Sequence, residues 1–156
     1  MHPIYVLVVV GGTIGKGLVK RLSHQKNDFI VIDINVEVCE DIYAKFGTVT
    51  IIGNATYPAK LEDAINERTK VIIPVHIQGC PADMDPILEI ARKHNLYVIE
   101  NACQANGAMY KGKMCGTIGH VVVFSLNNLK NLCGSEGDLL SPMMMTYSRR
   151  LSLSAA

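Results

Sequence analysis

No sign of charge prevails in this chain: 15 Lys and Arg offset 14 Asp and Glu, for a formal charge of +1 over 156 residues. A near-neutral surface gives no electrostatic case for nucleic acid or an anionic membrane as partner. Long apolar runs are missing too. The longest, Tyr5–Val10, is far too short to span a bilayer, and it has neither the basic flank nor the small-residue cleavage site of a secretory leader. It reads as a buried parallel strand. The five cysteines, at 39, 80, 103, 115 and 133, form no C-x-x-C pair and, like the five histidines, do not cluster as metal ligands do. A reduced, cytoplasmic protein without membrane insertion is expected. No Pro/Gly/Ser-rich linker divides the chain, and its length suits one α/β domain.

Apolar runs near 5–10, 29–34, 48–52, 70–76, 96–100 and 120–126 predict strands. Helical periodicity near 15–26, 36–46, 60–66 and 84–95 predicts helices between them. In the last helix Asp85 suits the N-cap and Pro86 the first turn, with Met84, Ile87, Leu88 and Ala91 on one stripe. Such alternation predicts an α/β fold, a Rossmann-like three-layer sandwich with a mostly parallel sheet. Residues 101–119 form a long polar, Gly-rich connection, the kind that borders functional sites.

The first strand runs into Gly11-Gly12-Thr13-Ile14-Gly15, and the second ends in Asp33, about twenty residues on, where a ribose-binding acid belongs. Gly12 and Gly15 fill the second and third glycine positions of the dinucleotide fingerprint; Val10 stands at the first. With IDIN around Asp33 and IIGNAT through Thr56, residues Ile4 to Ala64 resemble the RCK (TrkA-N) domains, regulatory modules of potassium transport systems. The resemblance implies that NAD or an adenine nucleotide lies across Gly12, Gly15 and Asp33.

The segment from Lys60 to Gly137 contains PVHIQGCPADMD, VIENACQANGA and FSLNNLKN. It resembles the DegT/DnrJ/StrS sugar aminotransferases, which use pyridoxal phosphate (PLP). The resemblance implies that Lys130 is the Schiff-base lysine, Gln104 lies beside the cofactor ring and Ser125 binds the phosphate. Asn101 occupies the place of the aspartate that pairs with the pyridine nitrogen. An amide cannot hold the compensating charge, so carbanion stabilisation is expected to be weak. His120 and Asn106 also depart from the family pattern and carry little weight. Cys103 and Cys133 fall near the same pocket and read as buried small hydrophobes; His76, at a strand end, reads first as a hydrogen-bonded structural histidine.

The two resemblances meet at Pro58–Ala64, which predicts a chimera-like single domain over 1–140, with an RCK-like half at 1–57 and an aminotransferase-like half at 58–140. Parallel α/β sheets bind ligands at the carboxyl ends of their strands, so Gly12, Asp33, Asn101 and Ser125 are expected on one rim, where two cofactors would compete. Residues 141–156 read as a disordered tail. Shifting the frame by one base at Met143–Thr146 spells three aspartates, part of the aminotransferase continuation, so a frameshift near Leu140 is expected. Three functions follow as expectations: a catalytically incompetent aminotransferase-like fragment, a nucleotide-binding regulatory module, or a gene-fragment product without selected function. The family's aromatic ring-stacking residue, part of its phosphate cup and its small domain have no counterpart here. A homodimer is expected from the family's habit of sharing sites between subunits.

Overall fold

A computed structural model of the protein describes residues 5–9, 17, 19–20, 23–24, 28–55, 57–128, 130, 132–134 and 137–142. Strands and helices alternate as far as residue 101, beyond which the described elements are strands, and most strand pairs are parallel, as the apolar periodicity predicts. The chain divides into two compact units, one of Met1–Pro74 with Asp85–Tyr97 and the other of Val75–Met84 with Val98–Ala156.

The first unit holds β1 (Tyr5–Val9), β2 (Asp28–Asp33), α1 (Val36–Phe46), β3 (Val49–Ile52), α2 (Pro58–Asp63), β4 (Thr69–Pro74) and most of α3 (Met84–Lys93). Its strands lie in the order β3-β2-β1-β4, all parallel. Strand β2 has a neighbour on each side, and Phe29 through Asp33 are all buried. That explains an apolar run without the alternation of a half-exposed strand. Helix α1 follows directly because Asn35 caps it: its side-chain oxygen accepts the amides of Glu37 and Val38. Gly47, at φ 63°, ends the helix in the left-handed region that a side chain disfavours. The helix buries Cys39 and Ile42, and burying an isoleucine contributes about 1.5–3 kcal/mol.

Helix α3 begins at Met84, so Asp85 and Pro86 lie in its first turn rather than Asp85 preceding it. Ile90 joins Met84, Ile87 and Ala91 as a buried residue, while Leu88 is half-buried. Of the helix expected over 15–26, residues 17, 19, 20, 23 and 24 are helical. Val10, Gly12 and Gly15 lie outside the described residues.

The second unit takes in β5 (Tyr97–Asn101) from Val98 on, β6 (Met109–Tyr110), β7 (Lys113–Met114), β8 (Val121–Ser125) and β9 (Asp138–Pro142). Strand β5 pairs parallel with β8, which pairs antiparallel with β9. Strands β6 and β7 form a small hairpin inside the connection expected to be a plain loop. Its turn, Lys111-Gly112, has φ of 46° and 81°, which a two-residue hairpin turn requires. Two-residue strands are too short to show any periodicity, which hid this hairpin in the sequence. Strand β9 includes Ser141 and Pro142, and residues 143–156 lie outside the described residues. Among the described residues no helix is long and apolar enough to cross a membrane, and no group of three His, Cys, Asp or Glu is placed to hold a metal.

Candidate functional site

The second unit carries a cavity of about 440 Å³, lined by Gln78, Gly79, Cys103, Gln104, Asn106, Ser125, Lys130 and Leu132. That volume lies in the range of small-molecule sites. Three separate segments supply the lining. Ser125 is the last residue of β8, where an open α/β sheet presents ligand-binding groups. Lys130 lies in the turn beyond, with its amide donating to the Asn127 carbonyl at 2.9 Å. Cys103, Gln104 and Asn106 follow the end of β5.

Gln78 and Gly79 complete the wall from a tight turn. Ile77 and Cys80 exchange backbone hydrogen bonds of 3.0 and 2.7 Å, and both residues between them are left-handed, at φ 51° and 80°. The turn is fastened to Gln104 twice: the Gln78 amide donates to Gln104 Oε1 at 3.2 Å, and the Gly79 amide to the Gln104 carbonyl at 2.8 Å. Oε1 faces the Gln78 amide, and the Gln104 NH₂ remains able to donate.

Among the described residues, the polar groups of the lining are amides, a hydroxyl, a thiol and one ammonium, with no carboxylate. Among the described residues, no hydrogen bond or ion pair holds the Lys130 ammonium. Burial pushes the Cys103 thiol up, Asp138 pushes it further, and Lys130 only partly offsets them. A protonated thiol is a weak nucleophile.

Gln104, Ser125 and Lys130 therefore come together. Asn101 stands at the end of β5 but is not among the lining residues; its Oδ1 accepts the Cys103 amide at 3.2 Å. Asp33 closes β2 in the other unit, where its Oδ1 accepts the Asn35 amide at 2.8 Å. Cys103 is half-buried in the cavity wall and Cys133 is exposed, so neither is the buried small hydrophobe expected of it. His120 serves the fold: its Nδ1 accepts the Val98 amide at 3.0 Å, and its own amide donates to the Val98 carbonyl at 2.8 Å.

Asn106 lines the cavity although its departure from the family pattern gave it little weight. Gln78, Gly79 and Leu132 were not anticipated. The first two had a usable signal, since a Gln-Gly pair lies just beyond the carboxyl end of β4, after Val75, His76 and Ile77. Leu132 had none.

Outside the cavity lining, the same unit holds a fully buried pair, His76 and Glu100. The Ala82 amide donates to His76 Nδ1 at 3.0 Å, so Nε2 carries the ring proton and donates to Glu100 Oε2 at 3.1 Å. Glu100 also accepts the amides of Gly116, Ile118 and Gly119. Burial alone would raise this carboxyl; the His76 ring and the Gly119, Gly116 and Ile118 amides outweigh it and hold it below its usual range.

Known proteins supply an independent comparison. The chain is 51% identical over 83 residues to the GDP-perosamine synthase of Caulobacter vibrioides, which covers 53% of this chain and 22% of the synthase. An aminotransferase structure from Psychrobacter cryohalolentis superposes on 90% of this chain and 38% of its own, with TM-score 0.62 and 30% identity. The E. coli GDP-4-keto-6-deoxy-D-mannose-3-dehydratase, solved with bound hydrated PLP, superposes on 92% of this chain and 33% of its own, with TM-score 0.68 and 21% identity. The chain spans about a fifth of the length of the curated relatives it matches. A family profile covers residues 52–142, more than half of the sequence and every residue that lines the cavity. By that match the chain belongs to the DegT/DnrJ/EryC1/StrS aminotransferase family.

Proposed function

We propose that the second unit is the cofactor-binding part of a PLP-dependent sugar aminotransferase and that its cavity holds PLP. The observation that carries this reading is the gathering of Lys130, Ser125 and Gln104 around one cavity, where Lys130 is the charged group among the described lining residues. One cation and no carboxylate among the described lining residues fit a phosphorylated aldehyde. When bound, PLP supplies an electron sink for chemistry next to an amine.

The chain's own residues have distinct tasks on this reading. Lys130 offers the amine that fastens the aldehyde. The Ser125 hydroxyl donates to the phosphate, and the Gln104 NH₂ is held toward the ligand because its carbonyl oxygen is committed to the Gln78 amide. Asn101 offers no negative charge to a protonated ring nitrogen, so the chain binds the cofactor but turns it over poorly. Sugar substrate and a subunit partner are read from the family and require the rest of a full-length relative.

An absorbance titration with PLP tests this. The wild-type protein is expected to give a saturable visible band that Lys130→Ala abolishes. A wild-type protein without a saturable band contradicts the reading.

A second reading concerns the first unit. Its strand order β3-β2-β1-β4, with an acid at the end of β2, is the arrangement of dinucleotide-binding folds. On that reading NAD or an adenine nucleotide lies across Gly12, Gly15 and Asp33, as in the RCK (TrkA-N) modules, and the chain is a chimera joined near Pro58–Ala64. Against it, the Asp33 carboxylate is buried and engaged by Asn35. Equilibrium dialysis with NAD, beside Asp33→Ala, separates the two cases: saturable binding lost in the variant supports nucleotide binding, and its absence removes it.

A further inference from the structure

The His76–Glu100 pair costs the fold more than it needs to. Both side chains are fully buried, and well-packed apolar residues generally serve stability as well as a buried polar pair does. What apolar residues cannot do is fasten distant backbone segments at defined points. This pair fastens two of them.

On one side, His76 Nδ1 holds the Ala82 amide. The chain between these two residues is the Ile77–Cys80 turn, which presents Gln78 and Gly79 to the cavity and donates both of their amides to Gln104. On the other side, Glu100 gathers the amides of Gly116, Ile118 and Gly119. Gly119 leads through His120 into β8, whose last residue is Ser125. The close approach is built in at the glycines. A Cβ on Gly119 would lie 3.0 Å from the Val98 carbonyl oxygen and 3.1 Å from Glu100 Cγ.

We propose that His76 and Glu100 are positioning residues for the cavity: the pair fixes the 77–82 turn, and through it the orientation of Gln104, while it anchors the loop that delivers Ser125. Neither residue lines the cavity, so neither touches what the cavity holds. The inference rests on the reading of the cavity as a PLP site for its ligand, but not for its geometry.

Two arms test it. The first uses the ligand-free protein and follows amide hydrogen exchange by NMR. In His76→Gln, exchange at Gln78 and Gly79 is expected to accelerate by about tenfold or more, the loss of one hydrogen bond's protection, while Val122 in β8 stays protected. Unchanged exchange at Gln78 and Gly79 overturns the proposal. Should His76→Gln lose protection everywhere, Ala82→Pro removes the amide that His76 accepts and leaves the His76–Glu100 contact, and the same comparison applies. The second arm measures PLP affinity in a double-mutant cycle with Gln104→Ala. His76→Gln is expected to weaken binding by about tenfold in the wild-type background and hardly at all in Gln104→Ala. Equal losses in both backgrounds show that the pair does not act through Gln104 and overturn that route. A wild-type protein that takes up no PLP contradicts the proposed function alone, because the exchange arm still decides the positioning role.

Discussion

Two strands of this chain carry a buried acid at their carboxyl ends, and the two acids hold very different lengths of chain. Asp33 closes β2 and accepts the amide of Asn35, two residues on, which in turn caps α1. Glu100, next to the end of β5, accepts amides 16, 18 and 19 residues ahead and a histidine ring 24 residues behind. The first arrangement organises a helix start. The second organises the walls of a cavity. The described hydrogen bonds of the two acids thus differ in reach.

Removing Glu100 sharpens this contrast most. Glu100→Ala leaves a buried ring N–H and three loop amides without their acceptor, and is expected to cost about 3–5 kcal/mol by chemical denaturation. The pH dependence gives the same contact a second signature. The folded carboxyl sits below its ordinary value of 4.5, so its contribution is complete above that pH and is lost as pH falls through the folded-state pKa. Glu100→Gln should flatten this acid limb; an unaltered limb would mean that other carboxylates produce it.

A smaller effect is expected at Gly116, whose φ of 90° and whose surroundings both exclude a side chain. An added Cβ would lie 2.5 Å from Phe124 Cζ and 2.8 Å from Val122 Cγ2. Gly116→Ala should destabilise by about 1–3 kcal/mol from crowding, with backbone strain adding to it. On the other side of the comparison, Asn35→Ala removes the α1 cap and should cost about 1 kcal/mol. A thermal-unfolding loss from Asn35→Ala as large as that from Glu100→Ala would erase the distinction between local and long-range acids.

The same difference in reach explains what could be read in the sequence. Helix α1 is legible because its determinants are contiguous: Asn35 before it, apolar spacing within it and Gly47 after it. Strand β2 is legible as an unbroken apolar run. At the site, Lys130, Ser125 and Gln104 were legible only through family resemblance, since nothing local marks them as neighbours. The His76–Glu100 pair was not legible. Glu100 and His76 each look ordinary in sequence, and their pairing depends on Val75 meeting Asn101 and on residues 116–119 folding back onto Glu100. The β6–β7 hairpin was hidden by strands of two residues, and β9 because Leu140 onward had been read as the start of a frame-shifted tail.

The central claim is that Lys130 is the amine of a PLP site. Borohydride reduction after incubation with PLP, followed by peptide mapping, tests it most directly. A label confined to the peptide that carries Lys130 is the predicted result; no label, or a label spread over the surface lysines, would contradict the account.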